Sequence, residues 1–203
     1  TVIVIGLAMG ATVRIGRAMG ANDSRQISQI IGNTFTFFLL LAMVLSIVLL
    51  CLRNDIVQVI DTPAEALAET TQYLTICFIG IPFVVAYNII ASIFRGMGDS
   101  KNPMYFVAVA CVVNILLDYL FIGRMQMGAT GAALATILSQ MTSVVIALLA
   151  IRGHENLLKV SRKDFKLQRG VIAGILKIGV PVSLQDGFIQ VAFMAITVIA
   201  NGR

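Results

Sequence analysis

The chain has 203 residues, of which 58% are hydrophobic and 12% are charged, and its mean hydropathy is +0.92. Soluble domains carry about 25% charged residues, so this composition excludes a soluble protein and predicts an integral membrane protein. The net charge of +5 comes from bases in short segments between apolar runs. It therefore indicates orientation in a membrane, and nucleic acid is not an expected partner.

Apolar segments follow one another along the chain. A helix of about 20 residues spans the hydrocarbon core of a bilayer. Five stretches reach that length, namely 31–52, 73–94, 104–123, 128–151 and 171–201. The opening apolar segment, Thr1 to Val13, is too short to span. Because the chain begins inside this segment and without Met, we expect it to be part of a longer protein. The prediction is an all-α, polytopic transmembrane helix bundle.

The bases between the spans are distributed unevenly. Because successive spans cross the membrane in opposite directions, alternate segments lie on the same side. One side holds segments 14–30, 95–103 and 152–170, with most of the Lys and Arg residues, whereas segment 53–70 on the other side holds one base and four acids. Short loops rich in Lys and Arg stay in the cytoplasm. The pattern thus predicts a multi-pass protein of the cell (plasma or inner) membrane in which these three segments are cytoplasmic.

One carboxylate lies inside a predicted span. Asp118 follows Asn114 by four residues, so both side chains share one face of a helix. At 1.5 Å per residue, Asp118 lies about 9 Å, Asn114 about 15 Å and Thr136 of the next span about 12 Å below the outer edge of the core. Their oxygens suit Na⁺ or a titrating proton, and ionisable groups in membranes are usually functional. The alternative is a structural hydrogen-bond cluster between helices.

Two prolines interrupt predicted spans. Pro82 and Pro181 each remove a backbone hydrogen bond and leave a carbonyl that a neighbouring group or a water can use. Each is a candidate hinge, although proline is common in membrane helices.

The sequence lacks the patterns of catalytic and nucleotide-binding sites. It has one histidine, no His-Glu-x-x-His motif and no Walker sequence. The glycine-rich segment 95–101 is better explained as a tight turn between two helices. We therefore predict that the protein is not an enzyme and needs no cofactor.

Several segments, in this order, resemble the multidrug and toxic compound extrusion (MATE) transporters. They are Gly-Ala-Asn-Asp-Ser-Arg (20–25), Phe-Arg-Gly-Met-Gly-Asp-Ser-Lys-Asn-Pro (94–103), Asn-Ile-Leu-Leu-Asp (114–118), Met-Gly-Ala-Thr-Gly-Ala-Ala-Leu-Ala-Thr (127–136) and Lys-Ile-Gly-Val-Pro (177–181). The resemblance implies a twelve-helix protein of two six-helix lobes, of which this chain covers the end of helix 2 through helix 7. Residues 1–151 would form most of the N-terminal lobe, 152–170 a cytoplasmic linker between the lobes, and 171–203 the first helix of the C-terminal lobe.

The resemblance also implies a function. MATE transporters export organic, often cationic, compounds by alternating access, in exchange for Na⁺ or H⁺. In members with a cation site in the first lobe, an Asn, an Asp and a Thr match Asn114, Asp118 and Thr136, and a further Asp lies on helix 1. The alternative is a flippase for lipids or lipid-linked oligosaccharides of the same superfamily, which a cleft rich in Arg and Lys would favour.

Other branches of the family have an acidic residue on helix 7. Asp186 lies in that segment here, and we expect it to line the substrate cleft with Gln185, Gln190 and Asn88. A helix-packing hydrogen bond is the alternative for Asp186. The expected partners are the bilayer, small organic substrates and the coupling cation, and the whole protein is expected to be a monomer.

The predicted linker 152–170 alternates apolar residues with bases. Leu157, Leu158, Phe165 and Leu167 are interleaved with Lys and Arg. This pattern suits a segment lying on anionic lipid, and a plain solvated linker fits it equally well.

Overall fold

The computed structural model describes residues 2–59, 67–151 and 161–201, and this part of the chain is helical without β-strands. The helices are α1 (Val2–Gly20), α2 (Ser24–Cys51), α3 (Arg53–Val59), α4 (Leu67–Gly96), α5 (Lys101–Asp118), α6 (Gly128–Ile151) and α7 (Arg169–Asn201). A π-helix (Tyr119–Arg124) continues α5, and a 3₁₀-helix (Arg162–Phe165) precedes α7. The predicted all-α bundle is confirmed.

Among the described residues, five helices are long and apolar enough to cross a membrane: α2, α4, α5 with its π-helical extension, α6 and α7. They correspond to the five predicted spans, but α2 and α4 begin several residues earlier than expected. The first helix continues to Gly20 instead of ending at Val13. The predicted loops 14–30 and 95–103 are thus mostly helical. Of the predicted linker 152–170, residues 152–160 lie outside the described part of the chain. These include Leu157 and Leu158.

The turn between α1 and α2 explains why both helices extend into the predicted loop. Asn22 has a φ of 55°, and the N–H groups of Asn22 and Asp23 donate to the carbonyls of Met19 and Ala18, both at 3.0 Å. The Asp23 carboxylate then accepts the N–H of Gln26 at 3.0 Å and caps α2. A left-handed C-terminal residue followed by a side-chain N-cap reverses the chain within three residues.

The glycine-rich segment after α4 is a tight turn, as expected. Gly98 has a φ of 85°, which glycine adopts without strain. The N–H of Asp99 donates to the Phe94 carbonyl at 2.9 Å. The Asp99 carboxylate accepts the N–H groups of Lys101 and Asn102, each at 3.1 Å, at the start of α5.

Helix α4 lies at the centre of the bundle. It packs against α1, α2 and α6, and its Ile89, Ile90 and Phe94 are buried there. The Thr12 hydroxyl of α1 donates to the Ser92 carbonyl of α4 at 3.0 Å. Helix α5 packs mainly on α6, and only 6% of its most apolar stretch is buried. It is therefore the peripheral helix of the described bundle.

Pro82 lies inside α4 and has no N–H, so the Phe78 carbonyl one turn earlier lacks its helical donor. The Ser46 hydroxyl of α2 donates to that carbonyl at 2.6 Å. A neighbouring helix thus supplies the missing hydrogen bond, as membrane helices that contain proline require. The role of Pro82 as a hinge stays a prediction.

Helices α1 and α7 approach each other along glycines, and we call this contact the α1–α7 seam. A Cβ on Gly10 would overlap the Ile175 carbonyl oxygen, and a Cβ on Gly179 would lie 2.7 Å from the Leu7 carbonyl oxygen. Small residues allow helix backbones to come this close. Pro181 follows Gly179 by two residues, so the second candidate hinge lies within the seam.

We expect Ser46→Ala to lower the free energy of unfolding by about 1–2 kcal/mol, because the Phe78 carbonyl would be left without a donor. Ser28→Ala is the matched control, since Ser28 is on the same helix, is also 6% exposed and donates to its own helix at Ser24. Thermal unfolding of the detergent-purified protein measures both. Equal losses in the two variants would contradict the role given to Ser46.

We expect Gly10→Ala to destabilise the protein by about 1–3 kcal/mol, because overpacking forces the seam apart. Gly187→Ala on α7 is the control, since nothing lies within 4 Å of the Cβ that it adds. The same unfolding assay distinguishes them. A Gly10→Ala protein as stable as the Gly187→Ala protein would show that the seam tolerates wider spacing.

Candidate cation site

One buried hydrogen bond joins α5 and α6 and gives their register. The Ser143 hydroxyl of α6 donates to the Phe106 carbonyl of α5 at 3.2 Å. The helices run antiparallel, so eight residues forward along α5 lead to Asn114 and seven residues back along α6 lead to Thr136. These steps are about 12 Å and about 10 Å, so Asn114 and Thr136 lie at nearly the same level.

Asn114 and Thr136 line a common cavity of about 260 Å³ between α4, α5 and α6. Tyr87 of α4 and Ser139 and Gln140 of α6 contribute its other polar side chains. The cavity is therefore polar on its α6 side although all three helices are apolar overall.

Three buried polar atoms at this site have no hydrogen-bond partner among the described residues. They are Nδ2 of Asn114, Oδ1 of Asp118 and Oε1 of Gln140. A buried polar group without a partner costs about 1–3 kcal/mol, so such groups call for an explanation. Two of the three belong to the predicted site, and the third lies one helical turn beyond Thr136.

The structure brings the predicted trio together only in part. Asp118 shares the α5 face of Asn114, one turn away, but it is not among the residues that line the cavity. The Thr136 hydroxyl donates to the Ala132 carbonyl of its own helix at 2.9 Å, and Thr136 is exposed. Among the described residues, Nδ2 of Asn114, Oδ1 of Asp118 and the Thr136 hydroxyl thus make no hydrogen bond between α5 and α6.

Asp118 is the last α-helical residue of α5, and the π-helix begins at Tyr119. The N–H of Met125 donates to the Leu120 carbonyl at 2.9 Å, the five-residue spacing of a π-helix. π-helical turns are rare and frequent at functional sites. The predicted span 104–123 is therefore not one uniform α-helix, and the sequence offered no periodic signal for the change.

The substrate-cleft candidates lie elsewhere. Asn88 is half-buried, and its Nδ2 donates to the Val84 carbonyl of its own helix at 2.7 Å. On α7, Asp186 is half-buried whereas Gln185 and Gln190 are exposed. Helix α7 packs on α1 and α2 and makes no comparable contact with α5 or α6. The structure therefore does not bring Asp186 to the α5–α6 cavity.

Gln140 is a residue that sequence reasoning missed. It follows Thr136 by four residues, so the i, i+4 spacing that linked Asn114 to Asp118 could have identified it. In the sequence alone, Gln140 is an ordinary polar residue near the middle of the predicted span 128–151. The cavity that it shares with Asn114 and its buried, unpartnered Oε1 distinguish it.

Asn33 is a second missed residue, and it attaches the segment before α7 to α2. It is fully buried, and its Nδ2 donates to the carbonyls of Asp164 at 3.1 Å and Gln29 at 2.9 Å. Its Oδ1 accepts the N–H of Gln168 at 2.6 Å. We call Asn33, Asp164 and Gln168 the linker clasp.

Aromatic packing reinforces the linker clasp. The rings of Phe165 and Phe35 meet edge to face with their centroids 6.4 Å apart, and the backbone of Asp164 lies against Gly32. Residues 161–168 are therefore attached to α2. Phe165 and Leu167 are nevertheless exposed, and contact of this segment with anionic lipid stays a prediction.

We expect Asn33→Ala to lower the free energy of unfolding by about 2 kcal/mol, because it leaves backbone groups of the linker clasp without partners. Trypsin should then cut faster after Lys163 and Lys166. Thr34→Ala is the control, since Thr34 is equally buried but bonds only its own helix, at Ile30. Unchanged cleavage of the Asn33→Ala protein would count against the clasp.

Comparison with known proteins supports a single family. A family model described as MatE matches residues 1–120. The probable multidrug resistance protein YoeA of Bacillus subtilis (strain 168) is 29% identical over 204 residues, covering 97% of this chain and 44% of that protein. The probable multidrug resistance protein YpnP of the same strain is 36% identical over 150 residues, covering 74% and 33%. A crystal structure of MATE in the straight conformation matches 99% of this chain and 45% of its own with a TM-score of 0.89 at 26% identity.

The fold and the polar cavity define a polytopic helical membrane protein with polar groups buried between its spans. Since the family model matches more than half of its residues, the chain belongs to the MatE family. The resemblance to MATE transporters is thereby confirmed. The chain spans less than half the length of the curated relatives it matches.

Proposed function

We propose that the protein is a secondary active multidrug efflux antiporter, which exports organic, often cationic, compounds in exchange for Na⁺ or H⁺. The observation that supports this most is the set of unpartnered polar atoms of Asn114, Asp118 and Gln140 inside apolar spans. A bound cation or proton would supply a partner for the two oxygens among them, Oδ1 of Asp118 and Oε1 of Gln140. Membership of a family whose relatives include probable multidrug resistance proteins supports the export of drugs.

In this proposal Asp118 is the coupling carboxylate, and Asn114 and Thr136 add neutral oxygens. Carboxylate, amide and hydroxyl oxygens are hard ligands that suit Na⁺, and a carboxylate can also hold a proton. Occupation of the site would remove the cost of the buried, unpartnered Asp118 oxygen and so favour one packing of α5 on α6. The coupling ion is a transported substrate of the protein and not a resident cofactor.

The proposal includes the arrangement of the whole protein. Residues 1–151 belong to one lobe, 152–170 link it to the next, and 171–203 begin the second lobe. Segments 14–30, 95–103 and 152–170 face the cytoplasm of a protein in the cell membrane. The protein works as a monomer, and Asp186, Gln185, Gln190 and Asn88 face substrate in the cleft between lobes.

We expect Asp118→Asn to abolish gradient-driven efflux in the full-length protein while leaving membrane insertion intact, because the amide can neither exchange a proton nor supply a charged ligand. Efflux of a fluorescent organic cation from cells or proteoliposomes measures this. Separate Na⁺ and pH gradients then identify the ion.

Asp23→Asn is the matched control for that experiment. It makes the same chemical change outside the spans, and Asn caps a helix as well as Asp does. Normal efflux by the Asp118→Asn protein would refute the coupling role. Loss of efflux in both variants would show that the loss does not depend on a carboxylate inside the spans, and it would also contradict the coupling role of Asp118.

A lipid or lipid-linked oligosaccharide flippase is the second candidate. The observation that favours it is a basic cavity between α1 and α7 that includes Arg14, Arg17 and Lys177. Reconstituted protein distinguishes the two functions, since a flippase would move a labelled anionic lipid between leaflets and leave the organic cation where it is.

A further inference from the structure

A basic cavity lies between the helices that form the α1–α7 seam. It has a volume of about 480 Å³ and is lined by Arg14, Arg17, Gln26, Gly174, Lys177 and Ile178. None of these six residues is acidic. Arg14 and Arg17, which were expected in the segment 14–30 between spans, lie within α1, and Lys177 lies within α7, inside the predicted span 171–201.

Arg14 is held in place by α7. Its Nη1 donates to the Val171 carbonyl at 2.7 Å. A Cβ on Gly174 would overlap the same nitrogen, so glycine at this position makes room for the guanidinium. Arginine has five N–H donors, and those of Nε and Nη2 do not take part in this bond. One cation of the cavity is thus fixed by backbone contacts.

Lys177 and Arg17 are exposed at the cavity. Lys177 lies eight residues after the start of α7 at Arg169, about 12 Å along the helix. Val180 and Leu184 share its face of the helix and are also exposed. A charged pocket therefore lies next to an apolar surface. A phospholipid has the same arrangement, with a charged headgroup next to apolar acyl chains.

We propose that this cavity binds the phosphate group of an anionic phospholipid from the leaflet at that end of the bundle. Arginine and lysine are the side chains that bind phosphate oxygens, and Gln26 can add a neutral donor. Basic pockets between membrane helices are typical sites for anionic lipid headgroups. The lipid bridges α1 and α7 and reduces the repulsion between their cations. This inference does not depend on the coupling role of Asp118.

Lipid binding to the purified full-length protein tests the proposal. Native mass spectrometry compares phosphatidylglycerol with phosphatidylcholine, and we expect the wild-type protein to retain phosphatidylglycerol preferentially. Arg17→Gln with Lys177→Gln should weaken phosphatidylglycerol binding roughly 30-fold, and Lys177→Gln alone about 5-fold. Arg14 is left unchanged because it also holds α7.

Lys163→Gln with Lys166→Gln is the matched control, since it removes the same charge from exposed positions that do not line the cavity. We expect it to change binding by less than about threefold. An equal loss in control and cavity variants, or no preference for phosphatidylglycerol, would overturn the proposal. Displacement of the lipid by millimolar inorganic phosphate would overturn the lipid assignment in favour of a soluble anion. Thermal unfolding with and without phosphatidylglycerol gives a second readout, and only the wild type and control should be stabilised.

Discussion

Within the hydrocarbon layer a polar group must find its partner inside the protein, because lipid offers none. Most hydroxyls of the described spans meet this constraint through their own helix, as Thr34 does at Ile30. A few donate across to a neighbouring helix instead. Ser46 reaches the Phe78 carbonyl opposite Pro82, and Ser143 reaches the Phe106 carbonyl. These bonds fix the positions of α2 on α4 and of α6 on α5.

The same constraint makes the exceptions informative. In the described part of the chain, the buried side-chain atoms without a partner belong to Asn114, Asp118 and Gln140 on two adjacent helices. Asp118 is the last residue before the π-helix, and of the five described spans α5 has the smallest buried share of its apolar stretch. The coupling role proposed for Asp118 requires such an atom, because the partner of a carboxylate that exchanges an ion must be able to leave.

The sequence was sufficient for features that depend on local composition. The five spans, the tight turn after α4 and the shared face of Asn114 and Asp118 follow from hydropathy and helical periodicity. Features that depend on contacts between distant segments were not accessible. Asn33 meets Asp164 across 131 positions of sequence, and Arg14 meets Val171 across 157. The end of the first helix was also predicted too early. Arg14 and Arg17 were expected in a loop, but long basic side chains can remain in a helix when their charged groups reach a polar surface.

The contacts of α7 with the other described helices are uneven along its length. In its first half, the Val171 carbonyl accepts a hydrogen bond from Arg14, and Ile175 lies close against Gly10 of α1. The linker clasp attaches the residues just before α7 to α2. Beyond Ser183, large apolar residues such as Phe188, Phe193 and Met194 are exposed. Glycines permit close backbone approach only in the first half. A bend at Pro181 would therefore change the end of the seam, where Ser183 lies against Gly6, and would leave the basic cavity, whose α7 residues precede Pro181, unchanged.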